Sequence, residues 1–304
     1  MALRYDTISF LSDYGRTDEF VGVVHSVIRQ LCPEVTVIDV THDIPPFDVR
    51  AGGLALARSV QYLCPGVILA VVDPGVGSDR RGVAVEVADG AAVLVGPDNG
   101  LLAPAVAMLG GATRAVWLND PEHHLESPGP LFDGRYVFAP VAARLCSGEV
   151  AFEDLGEAVD PAGLTPGLFP VAEAAEDGLH ADVLWVDRYG NVQLNVEPGD
   201  LDELGEVFEV RAEDPSDDGR TRPARTARRV DHFAQLDTGA VGLAVDSYGL
   251  IALVADRASA AEELSLGPGD HLTLVPIDVA DAAPAGATTR VELSSPPGRD
   301  RPRD

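Results

Sequence analysis

Lysine is missing from this chain: all 22 basic side chains are arginine, and against 49 acidic ones they leave a net charge of -27 at neutral pH. A surface of that sign repels a phosphate backbone, so a role in tracking nucleic acid has little electrostatic support. The same charge modestly favours cationic small molecules and serves solubility equally well. Cysteine is also scarce. Cys32, Cys64 and Cys146 lie far apart with no CxxC or Cys/His spacing, which argues against a zinc site or redox pair and for buried free thiols. No apolar run is long enough to cross a bilayer without a Gly, Pro or charge, and the opening MALRYDTISF has no signal-peptide pattern, so a cytoplasmic protein is expected. There is no internal repeat and no GxGxxG.

What is present is a chain of 304 residues with 46% hydrophobic content, enough for one or two cores and two ordinary domains. In the first half, strand-like runs at Thr7 to Leu11, Val35 to Val40 and Val67 to Val72 alternate with amphipathic stretches. Thr17 can cap a helix with Phe20, Val23, Val24, Val27, Ile28 and Leu31 on one face, and Asp48 can cap a second helix. This alternation predicts an N-terminal α/β domain with a mainly parallel sheet. Gly82 to Val87 and Ala91 to Val95, joined by Ala88-Asp89-Gly90, read instead as a hairpin. Six short strands between Ala181 and Val275 predict a smaller C-terminal β-barrel. Arg220 to Arg229 reads as a solvated loop. The expected organisation is an N-terminal α/β domain over 1–168, a linker over 169–178, the barrel over 179–278, and a Pro- and Gly-rich disordered tail over 279–304.

Two segments carry candidate chemistry. Val71-Val72-Asp73-Pro74-Gly75-Val76-Gly77 imitates the strand and glycine loop of dinucleotide-binding folds, but the hairpin after it denies the helix N-terminus that such a loop requires. Ser12-Asp13-Tyr14-Gly15, with Thr17-Asp18 behind it, puts carboxylates at the end of a parallel strand, where α/β sheets bind ligands. On its own Asp13 reads more readily as a turn residue, and Asp18 as a complement to a helix dipole.

Taken together and in order, SDYGRTDEFVG, VIDVTHDIPPFDV, VVDPGVGSDRRG, GPDNGLL, FDGRYVFAP, DRYGNVQLN and DSYGLIAL resemble the S-adenosyl-L-methionine (SAM) hydrolase family, also called SAM hydroxide adenosyltransferases. The superfamily includes SAM-dependent fluorinases and chlorinases, and the resemblance runs from about Ile8 to Val275. It implies hydrolysis of SAM at the ribose C5' carbon to adenosine and L-methionine, with no metal and no redox cofactor. A homotrimer is also implied, with substrate between the N-terminal domain of one subunit and the barrel of the next. By the same resemblance Asp13 holds the ribose hydroxyls, Phe47 packs on the sugar and Asn191 faces the adenine. Asp18, Asp187 and Ser247 lie near the methionine end, and Tyr248 is also implied to bind substrate.

The family's hydrolases carry an Asp, an Arg seven residues on and a His in a downstream motif, and its halogenating members carry Tyr in place of the Asp. Asp73 and Arg80 match the first two hydrolase positions, whereas Asp133 stands where the His is expected. A carboxylate can accept a proton as histidine can, and two carboxylates flanking Arg80 can share its charge, so Asp73, Arg80 and Asp133 are the catalytic candidates. A halide about 4 Å from Asp73 would meet roughly 4 kcal/mol of repulsion at an effective dielectric near 20, and water meets none. The tight turn at Ala88-Asp89-Gly90 also lacks the insertion of the fluorinases, so a halogenase is the weaker alternative. A protein that binds SAM or adenosine with little or no catalysis is the runner-up, on the strength of Asp133. His123 and His124 read as surface groups.

Overall fold

Short apolar runs bounded by turns build the first sheet. The computed structural model describes residues 3–167, 169–212 and 224–278, and the chain divides into two units, Met1–Pro170 and Val171–Asp304. In the first, β1 (Thr7–Ser12), β2 (Thr36–Thr41), β3 (Gly66–Val71), β4 (Gly82–Val87), β5 (Ala92–Pro97), β6 (Ala112–Trp117) and β7 (Ala158–Val159) form one sheet in the order β2-β1-β3-β5-β4-β6-β7. Its pairings are parallel from β2 through β5 and antiparallel beyond, so five of the seven strands, β2, β1, β3, β5 and β6, run one way. Every residue of β1 and β3 is buried, which requires cover on both faces. Alternate residues of those strands, Ile8 and Phe10, Val67, Leu69 and Val71, pack in one core with α1 (Phe20–Leu31) and α4 (Ala139–Ser147). The other helices, α2 (Val49–Val60) and α3 (Ala103–Met108), pack on each other.

From β1 the chain crosses to β2 on one side, and it later reaches β3 on the other. The adjacent C-terminal ends of β1 and β3 therefore sit at a topological switch point, the place where open α/β sheets leave a crevice for ligands.

Several local expectations need correction. Asp48 does cap α2, its carboxylate accepting from Ala51 N at 2.8 Å, but α1 begins after Glu19 with no side-chain cap, and Thr17 lies in the turn before it. The run at Val35 to Val40 is not a buried strand. It is the sheet edge β2, with Ile38 exposed. Cys32 and Cys146 are buried, but Cys64 is exposed in the turn after α2.

The second unit contains β8 (Glu173–Ala175), β9 (Gly178–Val186), β10 (Val192–Leu194), β11 (Val207–Ala212), β12 (Arg225–Arg229), β13 (Val241–Val245), β14 (Ile251–Ala255), α5 (Ala260–Leu264) and β15 (His271–Pro276). The order β10-β14-β13-β12-β11-β15-β9 returns to β10 and closes a seven-stranded barrel, with β8 appended to β9. Leu179, Val183, Phe208, Leu243, Leu253 and Leu274 are among the residues that fill it. β8 falls in the stretch read as linker. Of the loop expected over Arg220 to Arg229, residues 220–223 lie outside the described residues, and 225–229 form β12 instead; their charges mask the alternation, and only Ala227 among them is buried in the barrel core. The tail expected over 279–304 lies outside the described residues.

Glu86 of β4 lies directly across from Arg114 of β6, which donates from Nε to Oε1 at 2.9 Å and from a terminal nitrogen to Oε2 at 2.7 Å. These bonds hold the buried Glu86 carboxyl below its ordinary pKa. A group depressed in this way stabilises the fold fully above its unfolded pKa, and the contribution is lost as pH falls through the folded value. Glu86→Gln is expected to cost about 1–2 kcal/mol in urea unfolding at neutral pH, and the gap from wild type should narrow and close as pH falls through the depressed Glu86 value, below the ordinary glutamate range.

Candidate active site

The switch point places two carboxylates side by side. Ser12 is in register with Val71, and the next residues along, Asp13 and Val72-Asp73, leave the two strand ends, with Asp13 N donating to Val71 O at 3.3 Å. Asn99, just past β5, braces this edge by donating Nδ2 to Val72 O at 2.9 Å.

The loop from Asp73 to Arg80 folds on itself through Val76 N to Asp73 O and Ser78 N to Gly75 O, and Ser78 Oγ accepts from Arg80 N. It returns the Arg80 guanidinium onto the carboxylate where the loop began. Arg80 Nε donates to Asp73 Oδ1 at 2.9 Å, and one terminal nitrogen donates both to Asp73 Oδ2 and, at 2.6 Å, to Asp133 Oδ2. The Asp73 and Arg80 side chains are only 6% and 9% exposed, whereas Asp133 is 23% exposed and so the more open of the two carboxylates. Burial pushes the Asp73 carboxyl above its ordinary pKa; Arg80 opposes that shift, and the Asp133 charge adds to it. Burial likewise raises Asp13, against the hydrogen bond from Phe47.

Asp133 precedes a single π-helical turn, Gly134–Phe138, that runs into α4. The turn begins with glycine for a steric reason: a Cβ at Gly134 would stand 2.1 Å from the Tyr14 hydroxyl oxygen. Tyr14 packs edge-on to Phe132, with ring centres 5.6 Å apart, and both pack against Phe20. Burial, then the charges of Asp13, Asp73 and Asp133, push the Tyr14 phenol far above its usual pKa, so it remains a hydrogen-bond donor.

Phe47 is the strained member. Its φ is +69°, a left-handed conformation uncommon for a bulky residue, and its amide donates to Asp13 Oδ2 at 2.9 Å while the ring is 72% exposed. Asp13, Tyr14, Asp18, Phe20, Phe47, Asp73, Phe132 and Asp133 all line one cavity of about 410 Å³, within the roughly 300–1,000 Å³ of small-molecule sites. A larger cavity of about 890 Å³ in the barrel unit, lined by Asp202, Glu206, Arg228 and Arg229 among others, holds none of the expected site residues.

Five of the six expected residues of the first unit thus line one cavity, and Arg80 bridges two of them. The four in the barrel unit occupy two turns of one design. The Asp187 carboxylate accepts from Tyr189 N, Asn191 N and Asn191 Nδ2, closing the β9–β10 turn. Asp246 accepts from Tyr248 N and Leu250 N, closing the β13–β14 turn that carries Ser247. Because β10 and β14 pair antiparallel, the two turns flank opposite ends of that ladder. The side chains of Tyr189 and Tyr248 are exposed.

Sequence reading passed over Tyr14, Phe20 and Phe132 as site residues, although Tyr14 lies inside the quoted SDYG segment. It also misplaced the histidines. His123 is largely covered, with Nε2 2.9 Å from Asp154 O, and His124 Nε2 is buried with no hydrogen-bond partner among the described residues. Burial lowers the His124 pKa, and the Asp133 charge opposes that shift.

Fold and site together define a two-unit α/β and β-barrel protein with an acidic, aromatic-lined cavity at its parallel strand ends. The chain belongs to the SAM hydroxide adenosyltransferase family, whose N-terminal domain matches residues 8–156 and whose C-terminal domain matches residues 181–273. It is 43% identical over 265 residues to an (R)-S-adenosyl-L-methionine hydrolase of Salinispora arenicola, covering 87% of this chain and 96% of that one. A fluorinase of Nocardia brasiliensis is 28% identical over 298 residues, with 88% and 95% covered. Among solved structures, an uncharacterised conserved protein from Thermotoga maritima superposes with a TM-score of 0.77 at 29% identity, over 88% of this chain and 99% of that one.

The contact between Gly134 and Tyr14 is testable by itself. Gly134→Ala should cost about 1–3 kcal/mol, a fall of several degrees in Tm by calorimetry, and Tyr14→Phe in the same chain should recover part of the loss.

Proposed function

We propose that this protein hydrolyses SAM at the ribose C5' carbon, giving adenosine and L-methionine, and that its substrate is the (R)-sulfonium form given in the name of its Salinispora relative. The observation that carries the reading is the buried Arg80 clamped between Asp73 and Asp133, in the cavity that Asp13 and Phe47 also line.

The sulfonium leaves as a neutral thioether, so no acid is needed to expel it; the C5'–S electron pair goes to sulfur while a water oxygen bonds to C5'. The demand on the protein is to place that water in line, and positioning of this kind is worth roughly 7–11 kcal/mol. Asp73, fixed by two arms of Arg80, orients the water. Asp133, the more open carboxylate, accepts its proton. Asp13 holds the ribose hydroxyls and the Phe47 ring covers the sugar. Asp18 sits toward the methionine, while Asp187, Asn191, Ser247 and Tyr248 are assigned to substrate by family resemblance alone. We take the reaction to need no metal or redox cofactor, and the working state to be a cytoplasmic homotrimer.

Two carboxylates around one guanidinium leave the cluster net negative, which favours water over a halide. The second reading, a SAM- or adenosine-binding protein with little turnover, rests on Asp133 in place of the family histidine.

Incubation with (R)- and (S)-SAM in oxygen-18 water decides between them. Adenosine labelled at its 5' oxygen establishes water attack, while intact SAM with tightly bound adenosine favours the binding protein. Asp73→Asn should lower kcat/KM by about a hundredfold or more with SAM binding retained; full turnover would remove Asp73 from the chemistry. Because Asp73 acts ionised and its pKa is raised, kcat/KM should fall as pH is lowered through that raised value, above the ordinary carboxylate range.

A further inference from the structure

Outside that cavity, α1, β2 and the residue just beyond β2 bring His25, Asp39 and His42 together. His25 Nε2 is 2.8 Å and His42 Nε2 is 3.1 Å from the same Asp39 oxygen, Oδ1, and the three donor atoms lie within 4.8 Å of one another. His42 is fully buried. Its Nδ1 is 2.8 Å from Ser12 Oγ, and its Nε2 meets no well-aligned hydrogen-bond partner among the described residues, facing Asp39 Oδ1 at 3.1 Å as an ion-pair contact. A buried imidazole nitrogen left in this state, beside an anion and a second imidazole, has the surroundings of a ligand lone pair.

We propose that His25 Nε2, Asp39 Oδ1 and His42 Nε2 bind one divalent transition-metal ion of the zinc class, with solvent as the remaining ligand. Tetrahedral zinc with bonds of about 2.0–2.1 Å spaces its ligands about 3.3 Å apart, so the two His–Asp distances of 2.8 and 3.1 Å need open by only a few tenths of an ångström, while the wider spread of the three atoms, within 4.8 Å, must draw in around the ion. Two imidazoles and one carboxylate select a first-row transition ion such as zinc, iron(II), cobalt, nickel or copper over magnesium or calcium. The side chains of His25 and Asp39 are 35% and 27% exposed, which gives the ion an entry path and room for water. Ser12 fixes the His42 ring from behind, as the outer partner of a ligating histidine does. The nearest cation, Arg16, stands 3.8 Å from the other Asp39 oxygen on a 65% exposed side chain, and can turn to solvent.

The site stands apart from bond cleavage. Its effect is mechanical, since the His42 carbonyl accepts from Gly15 N at 2.8 Å and Ser12 Oγ accepts from Tyr14 N at 3.3 Å. An ion here ties α1 and β2 to the loop that carries Asp13.

The test is titration of metal-stripped, tag-free, full-length protein with Co²⁺, followed by visible absorption and equilibrium dialysis, with Zn²⁺ as competitor. We expect one Co²⁺ per chain, displaced by Zn²⁺. Binding should weaken at least about tenfold in His25→Ala and in Asp39→Asn, each checked for folding by circular dichroism. His180→Ala, which removes a histidine paired with Asp177 in the barrel unit, should bind as wild type. Absence of stoichiometric uptake by the wild type, or uptake unchanged in His25→Ala, overturns the site.

Discussion

The Arg80 guanidinium is the constraint around which the first unit is arranged. A buried cation is tolerated only if its donors are matched, and here Asp73 takes two of them in a fork while Asp133 shares one. The loop after β3 must double back to return Arg80 to its own starting carboxylate. The chain before α4 must bring Asp133 to the far side of the same group, which the π-helical turn at Gly134–Phe138 allows with Tyr14 packed against its glycine. Phe138 adds its ring face 5.5 Å from the guanidinium carbon. Loop, turn and aromatic cluster are thus parts of one solution to one charge.

That solution bears on the missing histidine. An imidazole at position 133 beside Arg80 could be neutral, leaving a single carboxylate against the arginine. With Asp133 the same space holds two anions and one cation, and the balance shifts toward the negative. The chain therefore differs from the pattern its resemblance implies in the charge state of the cluster.

How much of this was legible in the sequence depended on whether a signal was local. β1 and β3 declare themselves because both faces are covered and the apolar run is unbroken, and the hairpin of β4 and β5 declares itself through Ala88-Asp89-Gly90. β12 stays hidden, since only Ala227 is buried in the core and its other four residues carry charge or hydroxyl. β2 looks central from composition and is an edge because strand order is a long-range fact. In the site, position alone left Asp13 reading as a turn residue, and Asp13 and Asp73 became candidates only when the motifs were taken together and in order. The roles of Gly134 and Tyr14 were not readable, because their contact joins residues far apart in the chain. The two barrel turns, by contrast, could have been recognised by setting DRYGN beside DSYGL.

The left-handed Phe47 has a consequence for timing. The hydrogen bond from its amide to Asp13 is formed within the folded protein, so the backbone strain there is met once, at folding, and the exposed ring is already pre-organised when a ligand arrives. Asp13 thereby divides its two oxygens, committing one to the architecture of the rim. The direction of that carboxylate is fixed before anything enters the cavity.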